Sequence, residues 1–300
     1  MERSALLASA IIVLVVIVLA SYTFLLNNNS TIAVKATTTT SLYATGLLDY
    51  LGDKFEEKHP GVSIQFVAVG SGEALRRAAS GDACFVLVHA PSLEIQYINQ
   101  GVLEYHKIFA YNYFIIVGPS DDPAGVRQAT NLTDVMERIY RAGEEGEALF
   151  ISRGDNSGTN VKELQLWKMA GLDPKGKQWY IEIGQGMGET LVMASEKNAY
   201  TLSDIGTYLK FKKDGRIPNL EILYSNDTAL INIYSAYLVK SCSGEERKAA
   251  KEFIDFITSD DGQMLIANYG VDKYGQPLFY PASDKLSMLE STWSELAGQG

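Results

Sequence analysis

Residues 147–167 read EALFISRGDNSGTNVKELQLW. Residues 147–151 form an apolar run typical of a strand, and residues 161–167 have helical spacing. Between them lies SRGDNSGT (152–159), in which one arginine and one aspartate stand among small glycine and hydroxyl residues. A strand, a small-residue turn and a helix present free backbone N–H groups at a helix N-terminus. The stretch therefore predicts an α/β unit that can hold an anion.

The same alternation of strands and helices continues on both sides. Strands are predicted at VSIQFVAVG (62–70) and CFVLVHA (84–90), and a helix is predicted over residues 46–58. Two long apolar strands, YNYFIIVGP (111–119) and INIYSAYLV (231–239), flank the middle of the chain. This order predicts an α/β fold with a largely parallel sheet, in which the chain leaves a first domain, builds a second one and returns.

Three further segments are interpreted from their local pattern. A helix-turn is expected around AYTLSDIGTYL (199–209), and one continuous helix over EERKAAKEFIDFITSDDGQMLIANYG (245–270). The segment GLDPKGK (171–177) has the spacing of a nucleotide-binding phosphate loop, but Gln178 follows where a Ser or Thr would bind magnesium. Because a helix precedes it rather than a strand, we interpret it as a loop that ends a helix.

Composition excludes several classes of function. The net charge of −10 and the pI of about 4.9 argue against a nucleic-acid partner, because phosphate backbones require a basic face. The three histidines form no H-E-x-x-H motif, and neither a Cys-x-x-Cys pair nor a Gly-x-Ser-x-Gly elbow is present. His89, at the end of an apolar strand, is interpreted as a hydrogen-bonded structural residue. We therefore assign no catalytic residue and no metal ligand, and expect a binding protein rather than an enzyme.

Residues 1–30 are predicted to be an N-terminal membrane anchor or signal segment with a linker. Residues 5–26 carry no charge and reach the length of about 20 residues that a membrane span requires. Arg3 precedes them and the acidic bulk follows, which favours insertion with the N-terminus inside. The alternative is a long signal peptide that is cleaved. Either way, the rest of the chain is expected outside the cytoplasm, membrane-anchored in the first case and secreted in the second.

The two cysteines, Cys84 and Cys242, are interpreted as free thiols in preference to a disulfide. Export would permit a disulfide. However, Cys84 lies in an apolar strand, where a buried thiol packs as a small hydrophobic group. The sequence does not show whether the two Cα atoms come within bridging range.

Three turns share the chemistry of an oxyanion site: TTTTS (37–41), GSGEAL (70–75) and RGDNSGT (153–159). Each follows a predicted strand and precedes a predicted helix, so that three partly positive helix N-termini could converge. Arg153 is the one clear cation among them and would add charge-assisted bonds. Ordinary helix capping is the alternative for each turn alone, but three such turns favour anion binding. Asp155 is expected to orient Arg153 or to cap the helix.

These motifs resemble the tungstate-binding proteins of Tup-type ABC transporters. The similarity extends over about residues 36–275, and the blocks GQGMG (184–188) and AYTLSDIGTYL (199–209) are its most specific parts. It implies a two-lobed periplasmic-binding-protein fold of the second topological class, with the ligand in the interdomain cleft.

The resemblance and the strand order together divide the chain into two lobes. Lobe 1 is expected to comprise residues 31–113 and 236–300, and lobe 2 residues 114–235.

The resemblance also implies a function. It implies an extracytoplasmic, monomeric solute-binding protein that captures tungstate or molybdate, needs no cofactor and delivers its ligand to a membrane permease with a cytoplasmic ATPase. Carried over by motif position, the implied oxyanion-binding residues are Thr39, Thr40, Ser41, Ser71, Arg153, Ser157 and Thr159. Ser71 stands where the family usually has threonine, and Cys84 where aspartate is common.

Two alternatives remain. Phosphate-binding proteins of ABC importers share an Arg-x-Asp-x-Ser-Gly-Thr turn, which residues 153–159 reproduce. There the aspartate accepts the proton of monohydrogen phosphate, a proton that tungstate lacks. The TTTTS and GQGMG blocks favour tungstate. An oxyanion hydrolase is disfavoured, because the sequence offers no histidine cluster and no set of carboxylates for magnesium. Tungstate and molybdate have the same charge and almost the same size, and the sequence does not separate them.

Overall fold

The computed structural model describes residues 31–225 and 227–298. The predicted membrane or signal segment, residues 5–26, lies outside the described residues. Within those residues, no helix combines the length and the apolar character needed to cross a membrane.

The described chain alternates strands and helices as predicted. The strands are β1 Ile32–Thr39, β2 Val62–Val69, β3 Phe85–Val88, β4 Leu103–Pro119, β5 Phe150–Ser152, β6 Tyr180–Glu182, β7 Thr201–Asp204, β8 Leu220–Tyr224, β9 Ile231–Val239 and β10 Tyr280–Pro281. The helices are α1 Thr40–Ala44, α2 Leu47–Lys58, α3 Ser71–Ala79, α4 Pro91–Asn99, α5 Leu132–Glu144, α6 Gly158–Met169, α7 Met187–Glu196, α8 Ile205–Lys213, α9 Gly244–Thr258, α10 Asp260–Asn268, α11 Val271–Tyr274 and α12 Leu286–Leu296.

The first lobe is built on a sheet with the strand order β10-β4-β9-β3-β1-β2. Within it, β1 pairs with β2 and β3 in parallel, whereas β9 pairs antiparallel with both β3 and β4. Helices pack on both faces, because nearly every side chain of β3 and β9 is buried and needs cover from each side. One apolar cluster contains Phe55 and Phe253, and the cluster on the other face contains Tyr237 and Trp293.

The second lobe has its own sheet. Strand β5 pairs in parallel with β6 and bridges to Tyr200 just before β7, while β7 and β8 both pair antiparallel with β4. Two apolar clusters cover the two faces, one around Trp167 and Phe150 and the other around Leu191 and Phe211. The fold is thus two-lobed α/β, as predicted.

Strand β4 belongs to both lobes. It pairs with β9 up to Tyr113, which lies opposite Ile231, and with β7 from Phe114, which lies opposite Asp204. A single long apolar strand therefore carries the chain from the first sheet into the second, and β9 begins where the chain has returned.

The structure corrects three details of the predicted secondary structure. The sheets are mixed rather than largely parallel, because β4 and β9 run antiparallel to their neighbours. The helix predicted over residues 245–270 is broken at Ser259, whose extended backbone ends α9 and whose Oγ caps α10 by accepting from the Gly262 N–H. The segment predicted as a helix-turn begins as strand β7, and Asp204 then caps α8.

The prediction of free cysteines is wrong. Cys84, immediately before β3, and Cys242, after β9, form a disulfide with their Cα atoms 5.0 Å apart. The bond is possible because β3 and β9 are neighbouring strands, a pairing that joins residues far apart in sequence.

Candidate functional site

The three predicted turns meet between the lobes. In each, a strand ends and a helix begins, at Thr39/Thr40, at Gly70/Ser71 and at Ser157/Gly158. Three hydrogen bonds join the third turn to the other two: Arg153 Nη2 donates to Thr40 Oγ1 over 2.9 Å, the Gly158 N–H donates to Ser71 Oγ over 3.1 Å, and the Gly72 N–H donates to the Asn156 carbonyl oxygen over 3.2 Å. The structure therefore brings the predicted residues of both lobes to one place.

Helix capping and ligand binding are compatible in these turns. Thr39 Oγ1 accepts from the Leu42 N–H at the start of α1, and Ser157 Oγ accepts from the Asn160 N–H at the start of α6. A hydroxyl that accepts such a bond still has its own O–H to donate. The same holds for Thr40 and Ser71, whose oxygens accept from the third turn. These hydroxyls can thus cap or join the turns and still donate to an anion.

Arg153 is held rigidly and is almost fully buried, with a side chain 1% exposed. Its Nη2 donates to Asp155 Oδ2 over 2.6 Å as well as to Thr40. Asp155 Oδ1 in turn accepts from the Ser157 N–H over 3.1 Å. Asp155 therefore plays both roles expected from the sequence, since it orients the guanidinium and fixes the start of α6.

Several buried donors of the described turns have no hydrogen-bond partner. Among the described residues, the buried side-chain nitrogen and oxygen atoms without a hydrogen-bond partner are Thr38 Oγ1, Thr159 Oγ1, Arg153 Nε and Arg153 Nη1. All of them belong to the first and third turns. Buried polar groups are almost always paired, because each unmade bond costs about 1–3 kcal/mol. The arrangement calls for a group that accepts hydrogen bonds.

Thr38 was not among the residues implied by the sequence, although it lies in the TTTTS motif. Side chains alternate along a strand, so Thr38 leaves the opposite face of β1 from Thr37 and Thr39. Thr37 Oγ1 donates to the Ala74 carbonyl, whereas Thr38 Oγ1 has no partner. The alternation within the motif predicts different surroundings for Thr37 and Thr38, but it does not by itself tell which threonines bind a ligand.

Ser41 is engaged by His89 in the structure. His89 Nδ1 lies 2.8 Å from Asn232 Oδ1, and Nε2 lies 3.3 Å from Ser41 Oγ. Burial lowers the pKa of His89 to about 4, so the ring is neutral at neutral pH. The Asn232 amide nitrogen donates to Asn112 Oδ1, which leaves its oxygen to accept the Nδ1 proton of His89 and leaves Nε2 to accept from Ser41. His89 is therefore the structural, hydrogen-bonded residue that the sequence predicted.

Helix α8 of lobe 2 also contacts α1. The sequence did not predict these contacts. Thr207 Oγ1 lies 3.5 Å from the Ser41 carbonyl oxygen, and Lys210 Nζ donates to the Ala44 carbonyl oxygen. Both contacts engage carbonyls of the short helix that follows TTTT. We call Thr207 and Lys210 the α8 clamp. Thr207 lies in the block AYTLSDIGTYL and Lys210 directly follows it, but no local pattern assigns these residues to an interlobe contact.

The GQGMG loop borders the same site. Helix α7 begins after Gly186, and a Cβ placed on Gly186 would lie 3.7 Å from Thr40 Oγ1. A further helix N-terminus, from lobe 2, thus faces the first turn. The Glu189 carboxylate fills the space beside Gly186, where a Cβ would lie 2.7 Å from Glu189 Oε2.

Comparison with known proteins agrees with this architecture. Residues 27–261 match the PBP superfamily domain. The tungstate-binding protein TupA of Peptoclostridium acidaminophilum is 42% identical to this chain over 248 residues, which cover 82% of this chain and 84% of that protein.

Two solved structures are similar in both sequence and fold. The tungstate ABC transporter structure from Geobacter sulfurreducens has 42% sequence identity and a TM-score of 0.71, and covers 80% of this chain and 100% of its own. TupA from Desulfovibrio alaskensis G20 has 36% identity and a TM-score of 0.68, and covers 83% of this chain and 98% of its own. The chain belongs to the PBP superfamily and, within it, to the TupA family of ABC-transporter binding proteins.

Proposed function

We propose that this protein is the solute-binding component of an ABC importer and that it captures tungstate, or the equally charged molybdate, in the cleft between its lobes. The TupA relatives support the ligand class by name, at 36–42% identity over most of the chain. No enzymatic activity and no cofactor are proposed. The partners are the oxyanion, a membrane permease and its cytoplasmic ATPase, with the binding protein acting as a monomer.

The observation that carries the proposal is the set of unpaired donors at Thr38, Thr159 and Arg153. The free guanidinium nitrogens can only donate, and the threonine hydroxyls can donate. A fully ionised dianion has only acceptors and satisfies all of them at once. Both oxygens of Asp155 already accept, from Arg153 and from the Ser157 N–H. Because a carboxylate oxygen can accept more than one hydrogen bond, the preference for an ionised oxyanion over monohydrogen phosphate rests on the unpaired donors and on the TupA relatives.

The proposed ligand-binding residues follow from the same contacts. Thr38 joins the set implied by the sequence, which is Thr39, Thr40, Ser41, Ser71, Arg153, Ser157 and Thr159. Since the Ser41 hydroxyl is engaged by His89, its part is proposed to fall to the backbone N–H at the start of α1.

We also propose the boundaries of the two lobes and the location of the protein. Pairing of β4 supports a first boundary at residues 113/114. All of β9 is paired or buried within the first lobe. Its pairings therefore favour a second boundary, where the chain re-enters lobe 1, ahead of Ile231 rather than at residues 235/236. We propose that the binding domain lies outside the cytoplasm and that residues 5–26 anchor it to the membrane.

Titration calorimetry of the full-length chain in a mild detergent tests the proposal. Tungstate, molybdate, sulfate and phosphate are titrated separately at neutral pH. We expect tungstate and molybdate to bind tightly and phosphate to give no measurable heat. A protein that binds phosphate more tightly than tungstate would instead be a phosphate-binding component of an importer.

A further inference from the structure

A buried carboxyl group lies directly behind the oxyanion site. Glu163 follows Thr159 by one turn of α6, and its side chain is almost fully buried. Its Oε2 accepts from Ser152 Oγ over 2.7 Å, and its Oε1 accepts from the Tyr180 hydroxyl over 2.6 Å and from Trp167 Nε1 over 3.2 Å. Among the described residues, no lysine or arginine forms an ion pair with it. Glu163 is thus held by neutral donors alone.

Glu163 is connected to the third turn through two intermediates. Ser152 immediately precedes Arg153, and Asn160 Nδ2 donates to Ser152 Oγ over 3.3 Å. Asn160 Oδ1 accepts from the Asn156 N–H over 3.1 Å, so the same side chain also fixes the middle of the turn. The carboxyl group and the turn therefore form one hydrogen-bonded unit.

Burial shifts the pKa values of Glu163 and of the titratable groups around it. Burial raises the pKa of Glu163 to about 7, although its hydrogen bonds favour the ionised form. Burial also raises the pKa of Asp204, lowers that of Lys162 to about 8 and lowers that of His89 to about 4. Tyr180, on β6, stays protonated because burial and Glu163 raise its pKa.

The remaining charges near the turn are one ion pair and one further carboxylate. Arg153 and Asp155 form an ion pair. Glu182 follows Tyr180 on β6 and adds a further negative charge on that side, since it contributes to the raised pKa of Tyr180. Ionised Glu163 would therefore repel a dianion bound at Thr159, one helical turn away. Among the described residues, no cation is paired with Glu163 to offset this repulsion.

We propose that Glu163 takes up a proton when the cleft binds a dianion, so that capture of the oxyanion is coupled to protonation of this carboxyl group. The inference rests on the proposed function. Two negative charges in a poorly solvated region disfavour each other, and by linkage the anion strengthens proton binding as much as the proton strengthens anion binding. Glu163 acts through the turn and is a positioning residue, not a ligand.

The sign of the pH dependence follows. Below pH 7 Glu163 is largely protonated and does not oppose the anion. As the pH rises from 7 to 8.5, more of the free protein carries the second negative charge, and the dissociation constant of tungstate should rise about tenfold. Tungstate itself remains a dianion over this range, so the change reports on the protein.

Calorimetry of the full-length protein with tungstate at pH 7.0, in two buffers of different ionisation enthalpy, measures the proton uptake directly. We expect the wild type to take up about half a proton per anion, because Glu163 is then about half ionised. Lys162 is mostly charged at this pH and contributes little. Glu163→Gln should abolish the proton uptake. The dissociation constant of tungstate should then depend only weakly on pH, through the deprotonation of Lys162.

Two further variants keep the test decisive. Asp204→Asn is the matched control, a second buried carboxyl group replaced by its amide, and it should retain the uptake. Tyr180→Phe removes a donor that favours the ionised form of Glu163, and should move the loss of affinity to higher pH. This shift is informative even if Glu163→Gln does not fold.

Failure of the proton coupling and failure of the proposed function would give different results. Tungstate binding without proton uptake, or an uptake lost in Asp204→Asn but kept in Glu163→Gln, overturns the coupling and leaves the proposed function standing. Absence of any binding heat with tungstate or molybdate overturns both.

Discussion

Adding one methyl group at Gly158 should weaken closure of the two lobes around the ligand without affecting the folding of either lobe. Gly158 is the first residue of α6, at the interface of the lobes. A Cβ at this position would lie 2.7 Å from the His89 carbonyl oxygen and 2.8 Å from Cε1 and Nε2 of its ring. The carbonyl belongs to the backbone just after β3, and the ring is fixed by Asn232, so neither can yield easily.

The magnitude of the effect follows from these contacts. Overpacking of this kind costs about 1–3 kcal/mol, which corresponds to a dissociation constant about 5- to 150-fold higher. The cost falls on the closed form, in which Gly158 meets His89. The backbone of Gly158 is not in the left-handed region, and alanine is the better helix former by about 1 kcal/mol. We therefore expect Gly158→Ala to weaken tungstate binding without lowering the melting temperature of the ligand-free protein.

Calorimetry gives the dissociation constant, and thermal unfolding without ligand gives the stability. Gly52→Ala is the matched control, since Gly52 lies inside α2 and a Cβ there would be 3.4 Å from the Phe66 ring, within the first lobe. It should leave binding unchanged. Wild-type affinity in Gly158→Ala would refute the idea that the closed arrangement of α6 against His89 is the binding form.

Four further predictions follow from other contacts. Arg153→Ala should weaken tungstate binding at least tenfold in calorimetry, because charge-assisted bonds contribute about 1.5–3 kcal/mol each. Lys210→Met removes a bond to the Ala44 carbonyl and should raise the dissociation rate several-fold in stopped-flow measurements. Reduction of the Cys84–Cys242 disulfide should lower the free energy of unfolding by about 2–5 kcal/mol in denaturant titrations. Burial lowers the pKa of His89 to about 4 in the folded protein, so lowering the pH from 6.5 to 4 should remove up to about 3 kcal/mol of stability through His89. Burial also lowers the pKa of His106 to about 4, so His89→Gln should reduce the pH-dependent loss of stability rather than abolish it.

The elements that the sequence predicted well are those whose burial is uniform. Strand β9 is buried along its whole length, and seven of its nine residues are apolar or aromatic, which predicted a buried strand. Strand β7 was missed because it is only four residues long, TLSD, and three of them are polar. It forms a strand only by pairing with β4. Such a pairing depends on residues about 90 positions earlier in the sequence, which no local window contains.

The site was predictable to the extent that it is local. Residues 153–159 form a turn whose caps, ion pair and glycine are all set within a few positions. The α8 clamp, the disulfide and Glu163 could not be inferred in this way. Each depends on a contact made only when distant segments are packed together, such as Lys210 against Ala44. For the same reason the sequence could not show that His89 lies next to Ser41, which stays a predicted ligand-binding residue.

Charge balance explains why closure matters so much for this cleft. The one cation within the three turns, Arg153, is paired with Asp155, so the pair presents no net charge to a dianion. Long-range attraction is therefore weak, and affinity must come from short-range donors. Those donors belong to both lobes: Thr38 comes from the first, and Arg153 and Thr159 come from the second. An open cleft would offer each set to water, whereas a closed cleft without an anion leaves buried donors unpaired, at about 1–3 kcal/mol each. The anion removes this penalty only when the lobes meet around it, which makes ligand capture and lobe closure a single event.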